Sequence, residues 1–114
     1  MESHVIEARI RYLTRAEGGR QTGVASGYRG QFYYGGNDYD GFQWFPDFNR
    51  GDYVQLGTEV RTFVEFLKGR WNEVHKLAIH VGMPFEIREG RRVVGTGIVT
   101  RLSVSESEWN QTHG

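Results

Sequence analysis

The amino-acid sequence predicts an all-β fold, either a small barrel or a sandwich. Short runs of alternating apolar and polar residues recur along the 114-residue chain, and Gly, Asn or Asp residues separate them. Alternation with a period of two is typical of half-buried strands, and these turn residues connect strands. Only residues 68–80 show a helical spacing of apolar side chains. Many short strands with at most one short helix favour a barrel or a sandwich.

The predicted strands follow one another with turns and loops between them. In the first strand the apolar side chains recur at every second position from Ile6 to Tyr12, whereas the second strand is rich in the aromatic residues that favour strands. Pro46 ends the third strand, because proline has no N–H group to donate to a sheet. Gly57 separates the fourth strand from the residues before it. The six predicted strands cover residues 4–13, 28–34, 40–45, 60–67, 85–88 and 93–99.

The last two strands form a hairpin. In its first strand Phe85 and Ile87 alternate with charged residues, and residues 89–91 have the composition of a turn. Gly95 and Gly97 lie two positions apart in its second strand, and therefore on the same face. That arrangement suits a close approach of the backbone to another element, or a sharp bend of the sheet.

Two segments lack a clear strand pattern. In residues 68–80, Trp71, Leu77 and two further apolar residues have helical spacing, so that a short helix and an irregular excursion both fit. We expect this segment to lie at the surface and to pack through Trp71 and Leu77. Residues 103–114 are polar and predict a flexible tail, with Trp109 either exposed or folded back onto the barrel.

Composition narrows the class of protein. The 14 basic residues, most of them arginine, balance the 14 acidic ones, so the overall charge indicates neither nucleic acid nor membrane. There is no cysteine for a disulfide or a thiolate metal site. Neither a signal-peptide pattern nor a long apolar run occurs, which leads us to expect a soluble cytoplasmic protein that does not enter a membrane. No phosphate-binding Gly-x-x-x-x-Gly-Lys motif is present, so we expect no binding of a nucleotide.

The sequence contains no recognisable catalytic or metal-binding motif. His75 and His80 are five positions apart, which is not the spacing of a helical zinc pair. No Gly-x-Ser-x-Gly motif occurs. Four acidic residues sit in the middle of the chain among turn residues, which favours a role in turns over acid–base chemistry or cation binding: Asp38, Asp40, Asp47 and Asp52. We therefore expect no enzyme activity, no catalytic or metal-binding residue and no cofactor.

Two blocks resemble the C-terminal β-barrel domain of elongation factor Tu, the third domain of that translational GTPase. Residues 17–34 contain Glu-Gly-Gly-Arg, Gly-Tyr-Arg and Gln-Phe-Tyr in the family's order, and residues 85–99 are similar to its final hairpin. Gly51 and Asp52 are similar to the Gly-Asp that opens its middle strands. The resemblance implies a closed six-stranded antiparallel barrel over residues 1–102, with 68–80 as an insertion.

The resemblance also implies a binding surface. In elongation factor Tu this barrel lies against the T-stem backbone of aminoacyl-tRNA. The positions that match its contact motifs are Arg20, Gln21, Gln31, Lys68, Glu89 and Gly90. Two positions depart from the family pattern: Gln21 stands where many members have His, and Asp40 stands where they have Thr.

Two classes of function remain open at this point. One is a non-catalytic module that binds tRNA or another structured RNA through these residues. The other is a module that binds a protein partner or forms a homodimer, through the barrel face that packs on the GTPase domain in the full factor. A free barrel exposes that face, and an apolar face requires a partner.

Overall fold

Seven antiparallel strands form one curled sheet in the computed structural model, which describes residues 2–113. They are β1 (Ser3–Tyr12), β2 (Gln31–Tyr34), β3 (Asn37–Tyr39), β4 (Phe42–Trp44), β5 (Glu59–Leu67), β6 (Pro84–Glu89) and β7 (Arg92–Arg101). Their order across the sheet is β3-β2-β6-β7-β1-β5-β4. The prediction of an all-β, barrel-like fold is confirmed, and the strand count of six is corrected to seven.

The additional strand arises from the turn after β2. Gly35 and Gly36 have φ angles of 60° and 84°, as a two-residue hairpin turn with positive φ at both positions requires. The chain therefore reverses at once, and Asn37 pairs with Tyr34. The predicted third strand, residues 40–45, corresponds to β4, whereas β3 forms from residues that the sequence did not predict as a strand, and the two lie at opposite edges of the sheet.

Loops and one buried amide join these two edges. Isolated bridges pair Val24 with Val54 and Tyr28 with Gln43. The buried Gln43 side chain donates hydrogen bonds to the carbonyl oxygens of Gly30, at 3.2 Å, and of Gly41, at 3.1 Å. These bridges and bonds span the open side of a curled half-barrel, so the prediction of a closed barrel is corrected.

The core lies inside the curled sheet. The alternating set of β1 from Ile6 to Tyr12 is buried, as the sequence pattern predicts. Gly97 lies against Phe85, and a Cβ atom at this position would overlap the Phe85 ring. Glycine is therefore required at Gly97 for the close approach that its position in the final hairpin indicates.

The segment after β5 closes one end of the barrel. It begins with one helical turn, α1 (Lys68–Arg70), and continues into a π-helical turn, Trp71–His75. The Trp71 ring stacks on His4 with 3.8 Å between centroids, and His75 is fully buried. Leu77 is 97% exposed, so the expectation that it packs was wrong. Trp71 and His75 turn towards the core, and the following turn directs Leu77 into solvent.

The C-terminal segment, where the sequence predicts a flexible tail, forms a helix, α2 (Glu106–His113). The Ser105 hydroxyl accepts from the Glu108 N–H at 3.1 Å, and the Glu108 carboxylate accepts from the Ser105 hydroxyl and N–H. This capping box satisfies groups that otherwise fray a helix start. Trp109 is only 5% exposed and anchors the helix on the sheet. Within residues 2–113, no helix has the length and apolar character needed to cross a membrane.

Candidate functional site

Several polar side chains meet at the turn between β6 and β7, which contains two of the predicted site residues, Glu89 and Gly90. Glu89 and Arg92 pair across this turn, and Gly90 has a φ of 62° at its first central position. Glycine takes that conformation without strain, which is why a two-residue loop fits here. The loop before β2 brings Arg20 and Tyr28 to the same place.

Four side chains form what we call the hairpin cluster: Arg20, Tyr28, Glu89 and Arg92. The Arg20 guanidinium donates to the Glu89 carboxylate, and the Tyr28 hydroxyl donates to the same carboxylate oxygen at 2.5 Å. Arg92 donates to the other oxygen at a long 3.4 Å. Arg20 also lies over the Tyr28 ring, 4.9 Å from its centroid. The cluster holds Arg20 in place while leaving it partly exposed.

The charges of the hairpin cluster do not cancel. Partial burial acts to raise the pKa of Glu89, but hydrogen bonds from Tyr28 and Arg20, together with the charge of Arg20, bring that pKa below its ordinary value. Glu89 is therefore ionised at neutral pH. Two guanidinium groups face this one carboxylate, and the exposed Arg91 lies beside them in the turn. The cluster as a whole is positive.

Gln31 lies next to this cluster on the neighbouring strand. It pairs with Arg88, the residue before Glu89, in the β2–β6 ladder. Its amide donates to the Asp40 carboxylate at 3.4 Å. Arg88 lies 3.5 Å over the Tyr33 ring and pairs with Glu86, so its charge is already compensated. Asp40 thus faces the Gln31 amide, which makes its negative charge part of the same surface.

An indentation of about 170 Å³ continues from Gln31 towards the segment after β5. Its lining residues are Gln31, Asp38, Tyr39, Asp40, Leu67 and Arg70. Lys68 follows Leu67 and is exposed, and its backbone N–H donates to the Glu2 carbonyl oxygen at 2.9 Å. Arg70 lines the far side of this indentation, and Lys68 lies in the chain between the lining residues Leu67 and Arg70.

The predicted site residues therefore do not all lie at one place on the surface. The structure brings Arg20, Glu89 and Gly90 together, sets Gln31 beside them, and places Lys68 across the small indentation. Gln21 is exposed and lines a separate indentation of about 260 Å³. Tyr28 and Arg70 were not predicted as site residues. For Tyr28 the available signal was its position in the Gly-Tyr-Arg block, whereas nothing in the sequence distinguishes Arg70 from other surface arginines.

A larger groove of about 560 Å³ lies on the outer face of β1, β2, β6 and β7. Arg9 and Arg11 form one wall and Glu86 another, while Tyr33 and the 44% exposed Ile98 supply apolar surface. The groove therefore combines both signs of charge with an apolar side chain that contacts solvent.

Across residues 2–113 no group of three or more His, Cys, Asp or Glu side chains is placed to hold a metal ion. His75 accepts or donates one bond at Nδ1, 2.6 Å from the Tyr34 hydroxyl. Burial lowers its pKa to about 4, and the charge of Arg70 acts in the same direction. His75 is thus a neutral core residue at neutral pH.

Comparison with known protein families identifies the family of this chain. The family model of the elongation factor Tu C-terminal domain matches residues 1–103 of the chain. The matched range contains all seven strands and the hairpin cluster, and it ends before α2.

Proposed function

The chain belongs to the elongation factor Tu C-terminal domain family, and from that premise we propose that it is a non-catalytic module that binds a tRNA-like RNA stem. One observation carries the proposal. Arg20, Glu89 and Gly90, which match the family's contact motifs in two blocks far apart in sequence, meet at one turn, and Gln31 lies beside them on the adjoining strand.

The chemistry of this surface suits an RNA backbone. The guanidinium group of Arg20 donates in a planar fork that matches a phosphate, and it is held in direction by Glu89 and Tyr28. The Gln31 amide has both donors and an acceptor for a 2′-hydroxyl. Such contacts follow the shape of a stem and do not recognise its sequence.

The charges limit the strength of this binding. Arg20, Arg91 and Arg92 are the cations at the turn, and Lys68 and Arg70 follow Leu67 beside the indentation, whereas Asp38, Asp40 and Glu89 oppose them. Since each neutralised phosphate contributes a slope of about −0.7 to −0.9 in log K against log salt, we expect a slope of about −2 to −4. The affinity should therefore be modest and strongly dependent on salt.

A comparison of RNA with DNA tests the proposal. Fluorescence anisotropy would measure binding of a labelled RNA hairpin stem and of a DNA hairpin with the same sequence, both at low salt. We expect tighter binding of the RNA stem, because its wide minor groove presents 2′-hydroxyls that DNA lacks. Equal binding of both would mean that only charge is recognised, and that would contradict the proposal.

A second candidate function is binding of a protein partner or of a second copy. The groove with Arg9, Glu86 and Ile98 favours it, because it combines an exposed apolar side chain with charges of both signs. Light scattering of the chain over a range of concentrations tests the homodimer. A dimer in the wild type that becomes a monomer in Ile98→Glu would support this second candidate, and a monomer at all concentrations would exclude self-association.

A further inference from the structure

An apolar cradle lies on the outer face of the sheet, where strands normally present polar residues. Val5, Trp44 and Phe63 form it, on β1, β4 and β5 respectively, and all three are buried. Trp109 of α2 covers the cradle, with its ring edge-on to Trp44 at 5.6 Å between centroids. A single tryptophan thus supplies the apolar anchor of the helix.

Charged groups next to the cradle bind Glu108, the residue directly before Trp109. Arg101 donates two hydrogen bonds to the Glu108 carboxylate, at 2.7 and 3.2 Å, and also donates to Glu7. Arg61 lies 3.8 Å from the same Glu108 carboxylate. We call Glu7, Asp47, Arg61, Arg101 and Glu108 the helix cluster. The sheet therefore presents two guanidinium groups to a carboxylate that directly precedes a tryptophan.

The far end of α2 is held by weaker contacts. The His113 ring stacks on Trp109 at 4.6 Å between centroids. Arg50 donates to the carbonyl oxygen of His113 at 3.0 Å. The helix has only eight residues, and a helix of that length is unstable unless it is docked. Its order therefore depends on the cradle.

The helix and the cradle differ in their relation to the family. The cradle residues and Arg101 lie within the part of the chain that matches the family, residues 1–103, whereas all of α2 lies beyond it. The cradle is thus formed by the part of this chain that matches the family, and the segment that fills it lies beyond the matched range. Anchoring of an amphipathic helix in a groove by one aromatic residue is a recurrent mode of recognition.

We propose that the cradle is a docking site for a short, mostly polar helix with a carboxylate directly before a tryptophan, and that α2 is its internal, displaceable occupant. The partner is a protein that presents a helix of this chemistry. The tryptophan fills the space between Val5, Trp44 and Phe63, and the carboxylate binds Arg101 and Arg61. The surface is separate from the hairpin cluster, so this inference does not depend on RNA binding.

The test uses the full chain and a labelled peptide with the sequence of residues 103–114. In Trp109→Ala the internal helix loses its anchor and the cradle is vacant, so we expect this variant to bind the peptide at least tenfold more tightly than the wild type does. A peptide with alanine in place of its tryptophan should not bind. Addition of Arg101→Ala to Trp109→Ala should weaken peptide binding at least tenfold.

A second variant gives a test that does not depend on whether Trp109→Ala folds. Glu108→Arg places a like charge against Arg101 and releases α2 while its tryptophan is kept, and it should also gain peptide binding. Near-ultraviolet circular dichroism checks that each variant remains folded. Folded variants that do not bind the peptide, or bind it no better than the wild type does, would overturn the proposal. So would a wild-type dimer that Trp109→Ala abolishes, because the occupant would then be a second copy of the chain.

Discussion

The hairpin cluster and the helix cluster are both built from arginine and glutamate, but their charges balance differently. In the helix cluster, Arg61 and Arg101 face three carboxylates, those of Glu7, Asp47 and Glu108. In the hairpin cluster, two arginines face the single carboxylate of Glu89. The first arrangement satisfies its cations within the protein, whereas the second leaves positive charge at the surface.

The two clusters also differ in the kind of surface that surrounds them. The helix cluster borders the cradle and holds α2 against it, so its ion pairs lie beside buried apolar surface. The hairpin cluster lies in a turn, next to polar side chains and two shallow indentations. The comparison teaches that an Arg–Glu pair alone indicates nothing about function. The charge that remains after pairing, and what the pair lies against, separate a cluster that docks a helix from one that leaves positive charge at the surface.

The largest expected effect comes from removal of the helix anchor. Trp109→Ala should lower the free energy of unfolding by about 3 kcal/mol, because large-to-small substitutions at buried aromatic positions typically cost 3–5 kcal/mol. Arg20→Ala, in the hairpin cluster, should lower it by less than about 1 kcal/mol, because partly exposed ion pairs contribute little. Urea denaturation measures both. Equal losses in the two variants would mean that both clusters are structural.

Acid should release α2 from the cradle. Hydrogen bonds from Arg101 lower the pKa of Glu108 to about 2 in the folded chain, from an ordinary value of 4.5. A carboxyl whose folded pKa is depressed stabilises the fold while it is ionised, so its contribution is present above pH 4.5 and is lost as the pH falls towards 2. Tryptophan fluorescence should report this loss, since Trp44 and Trp109 meet in the cradle.

Glu108→Gln is the matched variant that retains the size of the side chain and cannot titrate, so it should lack the step between pH 4.5 and 2. The same acid transition in both proteins would show that Glu108 does not hold α2.

A smaller effect concerns the balance of charge in the hairpin cluster. Glu89→Gln keeps an acceptor for Tyr28 but removes the charge that opposes Arg20. We expect affinity for a tRNA to rise by up to about fivefold, the equivalent of a surface ion pair of about 1 kcal/mol. Glu106→Gln changes the net charge equally at the exposed start of α2 and serves as the control. A fall in affinity with Glu89→Gln would contradict the view that Arg20 supplies the main contact.

The parts of the fold that sequence predicts are those set by local patterns. The alternation in β1 and the final hairpin depend on neighbouring residues, and both are present in the structure. The helix α2 was missed because its residues are mostly polar, although Ser105 and Glu108 have the spacing of a capping box. The direction of Leu77 could not be predicted, because it depends on how Trp71 and His75 pack against the barrel.

The candidate site was predictable only in part, for a similar reason. Arg20 and Glu89 are 69 positions apart, and no periodicity in the sequence links them. They were named together because both blocks resemble one family, and that resemblance gives no information on how Glu89 divides its bonds between Arg20 and Tyr28. Composition and spacing alone predict a barrel or a sandwich, without indicating which of its surfaces binds a partner.

The salt dependence of tRNA binding by Arg20→Ala is the sharpest test of the proposal that the hairpin cluster binds RNA. Anisotropy titrations at several salt concentrations give the slope of log K against log salt for the wild type, for Arg20→Ala and for Arg50→Ala. Arg50 lies over Trp44 near the end of α2, so its substitution removes the same charge far from the hairpin cluster. We predict a slope of about −2 to −4 for the wild type and Arg50→Ala, and a lower affinity with a slope flatter by about one unit for Arg20→Ala. An unchanged slope in Arg20→Ala, or no detectable binding of a tRNA by the wild type at low salt, would contradict the account.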